Sequence, residues 1–406
     1  MKKKLQAGAA IAVILLAISC GGGGGSGTPA PVPPSGTTDD DARRAVLADI
    51  GEKLILPTLQ DVDTRAAALK TAVDALAAAP AGASERTAAQ AVWRTAMASV
   101  QHAELLQIGP AAAMSEPGGL GLEMQIHAFP QFNACAIHNA AYTDLGVVAT
   151  SPAERIGMGA LEYLLFSDAD NPACSPSGVD GQTKRAQYAA RVAARIAEVA
   201  TQLRTAWEPS GGNFLGKFKT AGAASTVPYA TPQEALNAIS AAIFYFEKTT
   251  KDRKIANPAG IAAVGLLDCT KPISCPELLE SPYARASGAN VQANLQAFRE
   301  VFTGAGGGLG LNSLMQGIGR SDLVTRFVAL LDAAAAGVTA GTTLDMETNV
   351  TGIPGRSDCL AASIARAGIP VCAMHGKIDD VTDTLRAEIV TTLNLKIPDS
   401  AAGDND

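Results

Sequence analysis

The sequence predicts an all-α protein built as two helical-bundle domains. Three observations carry this expectation. The chain is 47% hydrophobic yet only 4% aromatic and 17% charged, and it is visibly alanine-rich, a composition that suits closely packed helices better than strands. Apolar residues recur at three- and four-residue spacing over long stretches. The same grammar of proline-bearing capping box followed by a helical run occurs in both halves, and no alternating strand pattern exceeds a few residues.

Taken in order, residues 1–19 read as a signal peptide. Lys2, Lys3 and Lys4 precede an apolar run, residues 9–18, too short for a permanent membrane span. The run ends in "LAISC", which resembles a bacterial lipoprotein signal with Cys20 as the lipidated residue. Residues 20–40 are a Gly- then Pro-rich linker that cannot bury a core. Gly21, where aspartate would retain such a protein at the inner membrane, favours the outer membrane of a Gram-negative cell. The expected location is therefore periplasmic and lipid-anchored.

The first bundle is placed at 41–215. "LILPTLQDVDTRAAALKTAVDALAAA" is one amphipathic run closed near Pro80 and Gly82. "AVWRTAMASVQHAELLQIGP" is a second, ending at Gly109 and Pro110. Ser151, Pro152, Ala153 and Glu154 form a capping box that starts the helix bearing Glu162, and a further helix runs from Thr183 to Trp207. The second bundle is placed at 216–400. It opens with a capping box at Thr231, Pro232, Gln233 and Glu234, and later helices are expected at 291–302, 322–335 and 377–393, with "GAGGGLG" as a break.

Composition and motifs remove several functions. Net charge is −7, and −10 without the three N-terminal lysines, so there is no electrostatic case for nucleic-acid binding. None of the four histidines, His102, His127, His138 and His375, begins an HExxH, and no G-x-S-x-G occurs. "GGNFLGKF" imitates a phosphate loop, but phenylalanine stands where a hydroxyl must reach magnesium. "GRSD" occurs at Gly319 and Gly355 and reads as serine N-caps. No residue is assigned a catalytic role. Six cysteines remain beyond Cys20. In an exported chain they read as disulfides, with local order pairing Cys135–Cys174, Cys269–Cys275 and Cys359–Cys372.

One carboxylate stands out. In "GMGALEYLLF" the residues three and four positions from Glu162 are Met158, Gly159, Leu165 and Phe166, an apolar face. Gly157 and Gly159 each cost a helix interior roughly 1 kcal/mol relative to alanine, which suggests a close approach by some other group. Two readings stay open: a ligand or acid facing a cleft between helices, or a buried structural glutamate paired with Arg94, Arg155 or a backbone amide.

The segment "GMGALEYLLF" followed by "NPAC", together with "AVWRTAMASVQHAELLQIGP", "FEKTTKDRKIANPAG", "NLQAFREVFTGAGGGLGLNSLMQGIG" and the terminal "GDND", resembles imelysin-like proteins across nearly all the mature chain. The resemblance implies an imelysin-like pseudo-repeat of two helical bundles with a site where they meet. It implies export and a link to iron uptake, in a family whose founding member was described as a peptidase. The family motif G-x-H-x-x-E reads here as Gly157, Met158, Gly159, Ala160, Leu161, Glu162, with glycine in place of the histidine. Glu162 and Glu104 are then the expected metal ligands, supported by Gly157, Gly159, Trp93 and Arg94. Carboxylates without an imidazole would favour a hard cation such as ferric iron or calcium. The function expected is a lipoprotein binding component in iron or other metal acquisition, working beside iron-uptake proteins. The alternatives are a metal-dependent peptidase, or an accessory lipoprotein that binds a partner and no metal.

Overall fold

The computed structural model describes residues 39–143, 146–167, 174, 181–223, 228–261, 269–339, 343–399 and 401–402. The signal peptide, Cys20 and all but the last two residues of the expected linker lie outside the described residues.

The chain enters through α1 (Asp39–Asp49), two residues before the expected start. Asp39, Asp40 and Asp41 lie in its first turn, where the helix dipole favours negative charge. A π-wound segment, Ile50–Ile55, joins it to α2 (Leu56–Ala78). Then come α3 (Ala83–Glu104), the single turn α4 (Glu123–Ile126), α5 (Ala134–Tyr142), α6 (Gly157–Phe166), α7 (Gly181–Trp207) and α8 (Phe214–Lys219). Beyond residue 216 the next long element is α9 (Pro232–Ile243), followed by a π-wound stretch, Phe246–Ala256, and the short α10 (Asn257–Ala259). The helices α11 (Ser287–Thr303), α12 (Leu311–Gly317), α13 (Ser321–Thr339), α14 (Met346–Thr351), α15 (Arg356–Ala365), α16 (Pro370–Thr384) and α17 (Val390–Leu393) complete it. No strand occurs among the described residues.

Packing follows the apolar faces. α2 lies against α3 and α7, α6 against α7, and α16 against α13, α15 and the 246–256 stretch. The chain before and after residue 216 is joined by α1 packing on α9 and α12, and by α3 and the Ile50–Ile55 segment packing on α11. The buried apolar residues, from Val46 to Ala401, form one continuous cluster. The α3–α11 contact positions the candidate site.

Two local expectations are corrected. Residues 153–155 form a separate 3₁₀ turn, and α6 starts at Gly157 with φ of +75°. That left-handed step cannot continue a helix from Ser151, whose hydroxyl instead accepts from the Val148 amide at 3.0 Å. In the second "GRSD" the N-cap is Gly355, with Ser357 already inside α15. The Thr231 cap forms, as half of the expected box: its hydroxyl accepts from the Glu234 amide at 3.1 Å, while the Glu234 side chain accepts from the Ala230 amide at 2.7 Å in place of Thr231's own.

The cysteines pair as Cys135–Cys174, Cys269–Cys275 and Cys359–Cys372. The pairing agrees with local order, and several of the cysteines sit on helices. Cys135 sits in α5, and Cys359 and Cys372 lie on α15 and α16, two helices packed together.

Candidate functional site

Where α3 meets α11, a polar network replaces the apolar core. Its members come from five places. Gln101 and Glu104 end α3, Glu123 and His127 bracket the turn of α4, and Tyr245 and Lys254 belong to the π-wound region. Glu280 precedes α11, while Asn290 and Asn294 lie on it. Apart from Tyr245, which is half-buried, each is buried. Charged groups in such a place need partners, because an unpaired buried charge costs several kcal/mol.

The partners centre on one ammonium. Lys254 Nζ donates to Glu104 Oε2 at 2.5 Å, Gln101 Oε1 at 2.6 Å and Asn294 Oδ1 at 2.9 Å, and lies 2.9 Å from Glu280 Oε1. His127 Nε2 is 2.8 Å from Glu280 Oε1 and 3.8 Å from Glu104 Oε1. The Tyr245 hydroxyl donates to Glu104 Oε1. Asn290 Nδ2 donates to Glu280 Oε2 at 2.9 Å, and Gln101 Nε2 to Glu280 Oε1 at 2.8 Å. The rings of Phe129 and Tyr245 stand 5.7 and 5.6 Å from the ammonium.

This arrangement shifts several protonation equilibria. Burial pushes the Glu280 carboxyl up, but Lys254 and His127 outweigh it and hold the group at about 2. Burial pulls Lys254 down, and Glu104 and Glu280 more than reverse that, leaving it raised. Glu123 is raised well above the usual carboxylate range, first by burial and then by Glu104. Its Oε1 has no hydrogen-bond partner among the described residues, and neither has His127 Nδ1. Burial, followed by the charge of Glu104, also holds the Tyr245 phenol raised and protonated, as a donor.

Glu162, the expected ligand, stands outside this cluster. It is 2% exposed, and its Oε1 accepts from the Ala284 amide at 2.9 Å. Of the two readings of its apolar face, the backbone-amide partner is the one found. Burial raises its carboxyl to about 8 against the opposing pull of the Ala284 amide. Arg94 donates to the carbonyl of the same Ala284 and lies over the Phe166 ring at 5.0 Å. Glu162 and Arg94 therefore hold the amide and the carbonyl of one residue, Ala284, in the 281–285 loop, four residues beyond Glu280. Trp93 braces α6 from behind, its Nε1 donating to the Met158 carbonyl at 3.1 Å.

The two glycines separate. A Cβ on Gly157 would stand 2.6 Å from the Ile126 carbonyl oxygen, so the bare backbone lets α6 press against the segment that carries His127. A Cβ on Gly159 would meet only Phe132, at 3.8 Å, an ordinary contact. The close approach expected of both glycines belongs to Gly157 alone.

The donor types suit a metal ion. Glu104, His127 and Glu280 each offer one ligand atom, all within 4.8 Å of one another, and carboxylate with imidazole accepts a broader range of divalent ions than carboxylate alone. The motif position is still glycine, but an imidazole from elsewhere in the sequence, His127, stands beside Glu104 and Glu280. The position between Glu104 and Glu280 is held by the Lys254 ammonium. A cavity of about 330 Å³, lined by Ile108, Ala242, Phe244 and Lys248 among others, reaches Tyr245, one hydrogen bond from Glu104.

An all-helical chain whose parts before and after residue 216 meet at a buried carboxylate, imidazole and ammonium centre defines the class. The chain belongs to the imelysin family, whose model matches residues 55–357. It is similar in structure to a protein named as an iron-regulated protein A precursor from Parabacteroides distasonis, with a TM-score of 0.63 and 18% identity, covering 87% of this chain and 98% of that one. An imelysin-like protein from Psychrobacter arcticum 273-4 superposes with a TM-score of 0.63 at 13% identity, covering 89% of this chain and 98% of that one. No curated protein matches the chain in sequence.

Proposed function

We propose that this protein is an exported, lipid-anchored binding component in metal acquisition, with iron as the metal and Glu104, His127 and Glu280 as the side chains that hold it. The observation carrying this reading is the group of three ligand atoms within 4.8 Å, buried and drawn from parts of the chain on both sides of residue 216. The name of the Parabacteroides neighbour, an iron-regulated protein, supports the choice of iron. The signal-like N-terminus with Cys20 supports export and tethering, and the outer membrane is the proposed location. Bound there, a doubly charged cation would be balanced by the two carboxylates. Glu104 and Glu280 supply the negative charge, His127 adds a nitrogen donor, and Glu162 with Arg94 positions the loop carrying Glu280.

Metal analysis of the purified mature protein, with equilibrium binding of ferrous iron and calcium, tests the reading. Wild type is expected to bind one ion per chain, Glu104→Gln to lose it, and Glu162→Gln to keep it. Equal binding by wild type and Glu104→Gln, or none by either, would overturn the ligand assignment.

A further inference from the structure

We infer that the Lys254 ammonium occupies the seat of a divalent cation, so that this lysine is a built-in competitor that must leave before metal can enter. The inference rests on the metal-binding reading above and adds the shape of the ligand shell and what controls access to it.

The geometry around Nζ carries the argument. Four oxygens, from Gln101, Glu104, Glu280 and Asn294, lie between 2.5 and 2.9 Å from it. An ammonium has three protons, so one of these contacts is left without a hydrogen of its own. A shell of oxygens crowding one point is instead what hard divalent ions take. The two amide oxygens are turned inward by fixed partners. Gln101 Nε2 donates to Glu280 at 2.8 Å, while Asn294 Nδ2 donates to the Gln101 carbonyl at 2.7 Å and to Glu104 at 3.2 Å. Thr250 adds a third constraint by donating to Asn294 Oδ1 at 3.0 Å. The shell is thus held by its own network and does not depend on the lysine for its orientation.

Charge points the same way. Two carboxylates face one ammonium, and a doubly charged ion at the same point would balance them. Glu123, contributed by the same α4 turn that leads to His127, is buried, and its Oε1 has no hydrogen-bond partner among the described residues. Lys254 stems from the π-wound stretch Phe246–Ala256, where i to i+5 winding departs from the regular helix. The site so built takes hard, oxygen-preferring divalent ions, with manganese(II) as a convenient probe.

The test is equilibrium dialysis of manganese(II) against the full mature protein as wild type, Lys254→Ala, Lys254→Gln, and Lys254→Ala combined with Glu280→Gln. Removing the competing charge should tighten binding of one ion by at least about tenfold in Lys254→Ala, given the strength of charge interactions at such short range. The added Glu280→Gln should abolish that gain. If Lys254→Ala does not fold, Lys254→Gln decides, because its amide can donate to the same oxygens without the charge. Binding by the lysine variants that is no tighter than wild type overturns the inference while leaving the metal-binding reading intact. Binding by the variants and none by wild type supports the seat but removes wild type as a metal carrier. No binding by any form overturns both.

Discussion

Replacing Glu162 by glutamine should raise stability at pH 8 and remove part of the pH dependence of folding. The carboxyl has an ordinary value of 4.5 when unfolded and about 8 when folded. The folded state therefore holds this proton more tightly, the reverse of a salt-bridged carboxylate. The stabilisation is complete below pH 4.5 and is lost as pH rises through 8, so the native state weakens across that window. At about 1.4 kcal/mol per pH unit the ceiling is about 4 to 5 kcal/mol. Glutamine imitates the protonated acid: its oxygen can still accept from the Ala284 amide, and it has no charge to desolvate. Glu123 adds a slope of the same sign, so the informative quantity is the difference between variant and wild type. Urea unfolding at pH 5, 6.5 and 8 would show the two proteins close together at pH 5 and diverging by pH 8 in favour of the variant. A constant difference across pH, or a variant less stable at pH 8, would refute the claim that Glu162 is a desolvated acid held by a backbone amide.

Gly157→Ala should destabilise by about 2 kcal/mol or more, since φ is +75° and the new Cβ would press on the Ile126 carbonyl. Gly159→Ala should be neutral or stabilising by up to about 1 kcal/mol, and thermal melts of the two variants would check the contrast. Removing Cys135 and Cys174 together should cost about 2 to 4 kcal/mol, and non-reducing peptide mapping should recover the three pairs found here. Cys20→Ser should release the protein from membranes or leave an unprocessed precursor; fractionation showing wild type and variant equally soluble would remove the anchor from the account.

Much of the fold could be read in advance because alanine-rich amphipathic runs and proline-bearing caps are local signals. The disulfide pairing followed from sequence order for the same reason. The candidate site was only half legible. Glu104 stood out inside a recognisable segment, and Glu162 stood out because a charge on an apolar face is conspicuous. Lys254 did not, since "FEKTTKDRK" looks like a solvated face when read with a period of 3.6. The π-wound stretch departs from that period, and Glu247, Lys251, Asp252 and Lys254 are all buried. His127 and Glu280 lie in irregular segments brought to Glu104 by the α3–α11 contact, an event of tertiary packing that no local pattern encodes. The absence of a histidine near Glu162 in sequence was therefore a poor guide to the chemistry in space. Trp93 and Arg94, expected to support the metal ligands, make their hydrogen bonds to Met158 in α6 and to Ala284 in the 281–285 loop.

The claim on which the account depends is that a cation binds among Glu104, His127 and Glu280. Crystals of the mature protein grown with manganese(II) or ferrous iron would address it through an anomalous difference map. The account predicts a single strong peak between those three side chains, with the Lys254 ammonium displaced from its four oxygens. A map without a peak there, with Lys254 still bound to Glu104 and Glu280, would contradict it and leave the cluster as a structural ion network.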